Sequence, residues 1–449
     1  MKHKKFSYKS LEELKEDIAL AGVEIPISEN LDVLKTSLTL YGKLVPNRLV
    51  IHPMEGCDST EEGAPDELAF RRYERFGAGG AGMIWAEACA VNNEGRGNSR
   101  HLCLNRETLP EFKKMFDRMT AAAKNASSED SMPYTVLQLT HSGRYSKPHP
   151  KAEAIVAVPE NPYLDYRNPK RRLVSDDELE RLEDLFAETA QLTREVGFNA
   201  VDIKSCHRYI INELLSARTR EGRYGGSFEN RTRFLLNVID KVKSRTDIDV
   251  TLRINAFDGI PYPYGWGADE NGQPDLEEPR RLMQILRDKG IRMVNVSIGN
   301  PYYNPHFGRP FDIGSYLPPE HQVESASRLL NIVKEMKRAA PEIMIVGTGF
   351  SWFREFGANI AAGCIEQGWM DTAGFGRQAF AYPDFARDII VNGAMQRKKC
   401  CTACTKCTEI MRFDGQTGCV TKDAKVYLPI WRNVTNGLTM MGTEVRNHV

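Results

Sequence analysis

This 449-residue sequence has no charge bias: 60 lysines and arginines balance 60 aspartates and glutamates. A formal net charge of zero provides no global field for a polyanion, so nucleic-acid binding is not expected. Long apolar runs are missing as well. No uncharged stretch approaches the length of a membrane span, so no spanning helix is predicted. The opening MKHKKFSYKSLEELKEDIAL is basic and then amphipathic, without the apolar centre of a secretory signal. The expected location is therefore the cytoplasm. Internal repeats and low-complexity stretches are absent too. No G-x-G-x-x-G stands at a strand–helix turn, which counts against a doubly wound dinucleotide-binding sheet.

What is present is an ordinary soluble composition, 41% hydrophobic and 27% charged. Short apolar runs alternate with longer helical patterns from about residue 45 to 390. Strands are expected at 48–54, 81–88, 134–141, 199–205, 249–256, 293–299, 343–349 and 371–377, each bounded by glycine, proline or polar residues. Between them, Ser175 and Glu178 form a capping-box pattern, and Gly197 stands where that helix should stop. Ser227 precedes another apolar stripe, and PRRLMQILRDKG and ASRLLNIVKEMKRA continue the alternation. Eight strand–helix units in succession predict an α/β fold, a closed (β/α)8 barrel of the TIM type. Residues 1–40 are expected to form a helical extension, 41–390 the barrel, and 391–449 a cysteine-rich segment.

One strand ends oddly. DIKSCHRY, residues 202–209, follows an apolar run yet places Lys204, Cys206, His207, Arg208 and Tyr209 close together. Ionisable groups are costly in a core unless paired. In a barrel, however, catalytic groups sit at the carboxyl ends of strands, so this cluster is expected to face the mouth.

Ten cysteines are many for a reducing compartment, where structural disulfides are rare. Five of them fall within residues 400–419, which suggests a metal rather than bridges. Cys401, Cys404, Cys407 and Cys419 are spaced C-x2-C-x2-C-x11-C, with Cys400 as a spare. Four thiolates suit a 4Fe–4S cluster or structural zinc. The scattered Cys57, Cys89, Cys103, Cys206 and Cys364 read as packed thiols.

Taken in order, NRLVIHPMEG, LQLTHSGR, the long stretch beginning VDIKSCHRYIINELLSARTREGRYGG, LRINAFD, VGTGF and GFGRQAFAYPDF resemble the flavin-dependent Old Yellow Enzyme family. The likeness runs over about residues 40–425. It points in particular to the branch containing 2,4-dienoyl-CoA reductase and trimethylamine dehydrogenase. The resemblance implies bound FMN. Gln138 would meet the pyrimidine edge, and Arg253 the N1–C2 side where reduced flavin gathers charge. Gly347, Gly349, Gly376 and Arg377 would surround the phosphate, while Pro53, Met54, Glu55 and Ala88 would lie along the ring. The plain structural reading makes each glycine a turn and Arg377 a surface charge.

After strand four the family usually places His-x-x-His or His-x-x-Asn to hold a substrate carbonyl, with a tyrosine two residues later. Here the pattern is Lys204-x-x-His207-x-Tyr209, so Lys204 departs from it. Lys204 could donate to an oxyanion, bind an anionic group or pair with a carboxylate. Glu55 departs too, because a small residue is common there; a pairing with Lys204 would neutralise it. At the tail, the branch carries a 4Fe–4S cluster with a gap of three residues where this sequence has two, so Cys400 could replace Cys401. Branch members continue into FAD- and NAD(P)H-binding domains, whereas this sequence ends at Val449. Electrons would therefore come from a partner flavoprotein or directly from NAD(P)H.

The activity implied is reduction of a C=C conjugated to a carbonyl. Hydride would come from flavin N5 and a proton from Tyr209, with His207 and Lys204 on the carbonyl oxygen. An oxidative, trimethylamine dehydrogenase-like activity and a zinc-stabilised non-catalytic flavin or electron-transfer barrel are the alternatives. The sequence leaves room for a homo-oligomer.

Overall fold

The strand-forming runs are too short to be helices, and helical segments between them can cover their outer faces. The computed structural model describes residues 2–126 and 132–436. Strands β1 (Leu49–Ile51), β2 (Met83–Ala90), β3 (Tyr134–Thr140), β4 (Ala200–Ile203), β5 (Asp249–Asn255), β6 (Met293–Ser297), β7 (Met344–Gly347) and β8 (Thr372–Phe375) close into one barrel. Every neighbouring pair is parallel, and β8 returns to β1 through Ala373 opposite Leu49. The architecture is the (β/α)8 barrel.

Helices α1 (Glu67–Gly77), α2 (Leu109–Ala126), α3 (Asp176–Val196), α4 (Phe228–Arg245), α5 (Glu277–Asp288), α6 (Gln322–Ala339), α7 (Gly357–Glu366) and α8 (Phe385–Asn392) follow the strands in turn. At α3 the capping box forms between Ser175 and Glu178, and Gly197 ends the helix in the left-handed region at φ 119°. Among the described residues no helix is long and apolar enough to cross a membrane.

Three features were not anticipated. A hairpin of Leu38–Leu40 and Lys43–Val45 closes the amino end of the barrel, with Leu40 and Val45 buried against Val50, Trp85 and Val136. A small parallel pair, Ala154–Val156 with Arg171–Leu173, stands in the connection after β3. The cysteine-rich segment lies across the mouth. Its Thr417 N–H donates to the Gly56 carbonyl at 2.5 Å, and its Thr405 hydroxyl to the Ile313 carbonyl at 2.8 Å. It thereby joins the loops after β1 and β6. Its closing helix, Ala424–Thr435, packs Tyr427 and Trp431 on Ile410, while Arg71 and Arg75 of α1 hold Asp423.

Candidate active site

Two consecutive non-glycine residues, His207 (φ 63°) and Arg208 (φ 61°), adopt the left-handed region just beyond β4. Such backbone costs about 1–3 kcal/mol per residue and persists where its surroundings enforce it. Here Arg208 enforces it. Its side chain is fully buried, its backbone N–H donates to Asn212, and its guanidinium reaches Ser216 and, at 3.2 Å, Asp258. The turn carries Lys204, His207 and Tyr209 to the wall of one cavity of about 570 Å³, together with Met54, Glu55 and Gln138. Of DIKSCHRY, Lys204, His207 and Tyr209 line that cavity, whereas Asp202 and Arg208 are buried and hold the structure around it.

Lys204 does not present its charge to the cavity unopposed. Its ammonium donates to Glu55 at 3.0 Å and lies 3.7 Å from the centre of the Tyr209 ring. The Tyr209 hydroxyl donates to the same Glu55 oxygen at 3.2 Å. Burial alone would raise the Glu55 carboxyl, but the Lys204 charge and these hydrogen bonds outweigh it and hold it below the usual range. Burial and the Glu55 charge push the Tyr209 phenol well up. Burial, Arg253 and Lys204 hold His207 far below an ordinary histidine, so its imidazole is neutral; its Nε2 lies 3.4 Å from the Ser297 hydroxyl.

The Glu55 loop is held by an irregularity in β2. The register slips between Ala86 and Ala88, setting Glu87 apart as the extra residue. Glu87 accepts the Gly56 N–H at 2.6 Å and pairs with Arg72, which also grips Asp58. Deeper in the barrel, Asp202 accepts hydrogen bonds from Gln138, Trp85 and the Arg253 N–H. Burial raises its carboxyl to about 6 against those bonds. Because a carboxylate only accepts, the Gln138 amide turns its NH2 toward Asp202 and leaves its oxygen for a ligand.

A second cavity, of about 170 Å³, shares Pro53, Met54, His207, Arg253 and Arg309 with the first and extends to Gly349, Gly376 and Arg377. A β-carbon on Gly376 would come within 3.0 Å of the Met54 sulfur. Arg253 Nε, Arg309 Nε, Arg377 Nη1 and the Thr348 hydroxyl are buried here without a partner. Burial, Arg412 and Arg377 lower Arg309 to about 10. Crowded cations with unmet donors fit an anionic, phosphate-bearing ligand. Two expected contacts do not line either cavity. Ala88 binds His101 through its carbonyl, and Gly347 packs closely against Met370.

Behind this wall, Cys401, Cys404, Cys407 and Cys419 border one small cavity with Arg377. Ala403 (φ 51°) and Thr405 (φ 55°) are left-handed, which curls the loop around it. Burial and the neighbouring thiols raise Cys407 to about 12. Cys400 faces elsewhere, donating to the Gln396 carbonyl. Among the described residues, no three His, Cys, Asp or Glu side chains already stand close enough to hold a metal ion.

Residues 36–265 match the model of the NADH:flavin oxidoreductase / NADH oxidase family. The chain belongs to this family. A curated NADPH dehydrogenase of Geobacillus sp. (strain WCH70) is 32% identical over 265 residues, covering 58% of this chain and 71% of that protein. In fold, a 2-naphthoyl-CoA reductase complex superposes with a TM-score of 0.71 at 19% identity, covering 89% of this chain and 58% of that one. Morphinone reductase in complex with tetrahydroNAD gives 0.61 at 19%, covering 81% and 92%. The chain is thus a flavin-dependent oxidoreductase barrel, and its joined cavities and unmet cationic donors fit FMN.

The residues that sequence reasoning missed are Arg309, Asp202, Glu87 and Tyr302, which lines the larger cavity and stacks on Tyr145 with ring centres 3.6 Å apart. Arg309 lies in an aromatic-rich loop with no spacing signal, and the other three meet partners on other elements of the fold.

Proposed function

We propose that the protein reduces a C=C conjugated to a carbonyl. The carrying observation is that Tyr209, a buried phenol with a raised pKa, and neutral His207 share one cavity wall with Gln138 and Arg253. Bound FMN supplies hydride. Gln138 and Arg253 would hold the pyrimidine side, and Gly349, Gly376 and Arg377 the phosphate. His207 would hold the substrate oxygen, while Tyr209 would give its hydroxyl proton to the α-carbon. Separating proton from hydride avoids a free carbanion. Lys204, paired with Glu55, acts as a counter-charge rather than an oxygen donor.

Cys401, Cys404, Cys407 and Cys419 would hold a 4Fe–4S cluster. Cys407 borders both the cysteine cavity and the larger flavin-side cavity, which supports an electron path between them. The same wall could carry electrons outward, and this favours an amine-dehydrogenase-like reading as the alternative. Anaerobic purification decides between them. The expected protein releases FMN on acid treatment, contains iron and sulfide, and is bleached by NAD(P)H or a reduced electron-donor flavoprotein and recoloured by an enone. Bleaching by an amine with no reoxidation by enones would replace the proposal.

A further inference from the structure

The mouth contains an arrangement that proton donation by Tyr209 alone does not need. A lysine ammonium 3.7 Å from the centre of a phenol ring favours the phenolate, which would spend the acid before any substrate arrived. Yet Lys204 is 3% exposed and cannot turn away into water. Glu55 answers that charge. One of its oxygens accepts from both Lys204 and Tyr209, so the pair adds no net charge beside the phenol.

We propose that Glu55 is a positioning residue for proton transfer: as resting acceptor of the Tyr209 hydroxyl hydrogen, it keeps the phenol protonated beside the Lys204 cation. The inference rests on Tyr209 being the proton donor. When the substrate is protonated, the Tyr209 O–H bond breaks and a C–H bond forms at the α-carbon. The phenolate so left lies beside both Glu55 and Lys204 until water returns the proton. Glu55 thus sets the pH below which the acid is loaded, and Lys204 limits the cost of unloading it.

The other groups around the pair do not supply this balance. The Tyr145 ring is centred 6.0 Å from that of Tyr209, and Tyr302 hydrogen-bonds Tyr209; both are neutral phenols with raised pKa. Burial lowers His101 to about 4, against the pull of Glu55, so it is neutral. Cys57 is pushed well up by burial and by Glu55 itself. Glu87, raised to about 7 by burial, is tied to Arg72 and the Gly56 N–H.

The test is a pH titration of holoenzyme carrying tyrosine isotopically labelled at Cζ, read by NMR. The Tyr209 signal is assigned by its loss in Tyr209→Phe. In Glu55→Gln the phenol should ionise at a pH lower by roughly one unit or more, a tenfold gain in acidity. The double variant Glu55→Gln/Lys204→Met should return it to wild-type behaviour, an outcome that a merely structural role would not produce. An unchanged titration in Glu55→Gln, or no restoration in the double variant, overturns the proposal. If Glu55→Gln fails to fold by circular dichroism, Lys204→Met decides. Its phenol should be no easier to ionise than wild type, and earlier ionisation overturns the inference. A Tyr209→Phe enzyme reoxidised at the wild-type rate would remove the proton-donor reading while leaving the titration result intact.

Discussion

His207 and Tyr209 share a wall but differ in what they can give. Tyr209 carries a proton held by burial and by Glu55, whereas His207 is a neutral imidazole able to hydrogen-bond an oxygen. Tyr209→Phe keeps the ring and removes the proton, so it should slow flavin reoxidation by an enone roughly a hundredfold or more. It should leave flavin reduction near the wild-type rate. His207→Ala should instead weaken substrate binding and lower the rate, because an oxygen anchor tightens as charge develops. Stopped-flow measurement of the two half-reactions separates these outcomes. At the other end of the joined cavities, Arg377 donates one bond to the Pro310 carbonyl and keeps Nη1 unmet. Arg377→Ala should weaken FMN retention about tenfold or more, read as flavin lost on gel filtration, since a charge-assisted phosphate contact goes with it.

At the scale of elements, the loop after β1 and the bulge of β2 act as one unit. A β-carbon on Gly56 would fall 2.2 Å from the Arg72 guanidinium. Gly56→Ala must therefore displace Arg72 from Asp58 and Glu87, leaving buried carboxylates short of their partner. The expected loss is about 3 kcal/mol of stability, with Glu55 moved and reoxidation slowed. Ser175→Ala at the cap of α3 removes one exposed capping bond, so it should cost about 1 kcal/mol and leave both half-reactions alone. Chemical denaturation of the two variants beside stopped-flow traces compares them. The α3 cap was legible because donor and acceptor lie three residues apart. The Gly56–Arg72–Glu87 contact was not, because it depends on how β1, β2 and α1 come together.

Two expectations belong to the whole molecule. Burial lowers His101, His141 and His306 to about 4 each, against about 6.5 when unfolded. Between those values the unfolded chain binds protons that the folded chain refuses, so stability rises with pH across the window. Urea midpoints should fall from pH 6.5 toward pH 4, at up to about 1.4 kcal/mol per pH unit for each histidine, less the opposing contribution of the raised carboxyls of Glu87 and Asp202. A midpoint that is flat across the window would contradict this. The second expectation concerns the tail, where Cys401 borders the four-cysteine cavity and Cys400 does not. Cys401→Ser should lose iron and sulfide, whereas Cys400→Ser should retain them. One zinc and no iron in wild-type protein would make the site structural.

The barrel was readable because strand length, helix period and caps are local properties, and eight repeats of one local unit admit few closures. The positions of β1 to β8 therefore agree with the runs read along the chain. DIKSCHRY was readable as a mouth because polar residues at a strand end need a solvent or ligand to face. Which of its side chains meet was a different matter. That Lys204 is neutralised by Glu55 of the loop after β1, and that the Tyr209 hydroxyl takes the same oxygen, follows from barrel closure, which brings the loops after β1 and β4 together at the mouth. The spacing of the cysteines likewise put Cys401 in the set but left Cys400 able to replace it. The folded loop separates them: Cys401 borders the four-cysteine cavity, while Cys400 donates to the Gln396 carbonyl. Arg309 had no sequence signal because its meaning lies in charges brought near it by the loop after β6 and the tail. Local periodicity specifies a scaffold, but charge pairing across the mouth exists only once distant segments share a low-dielectric space.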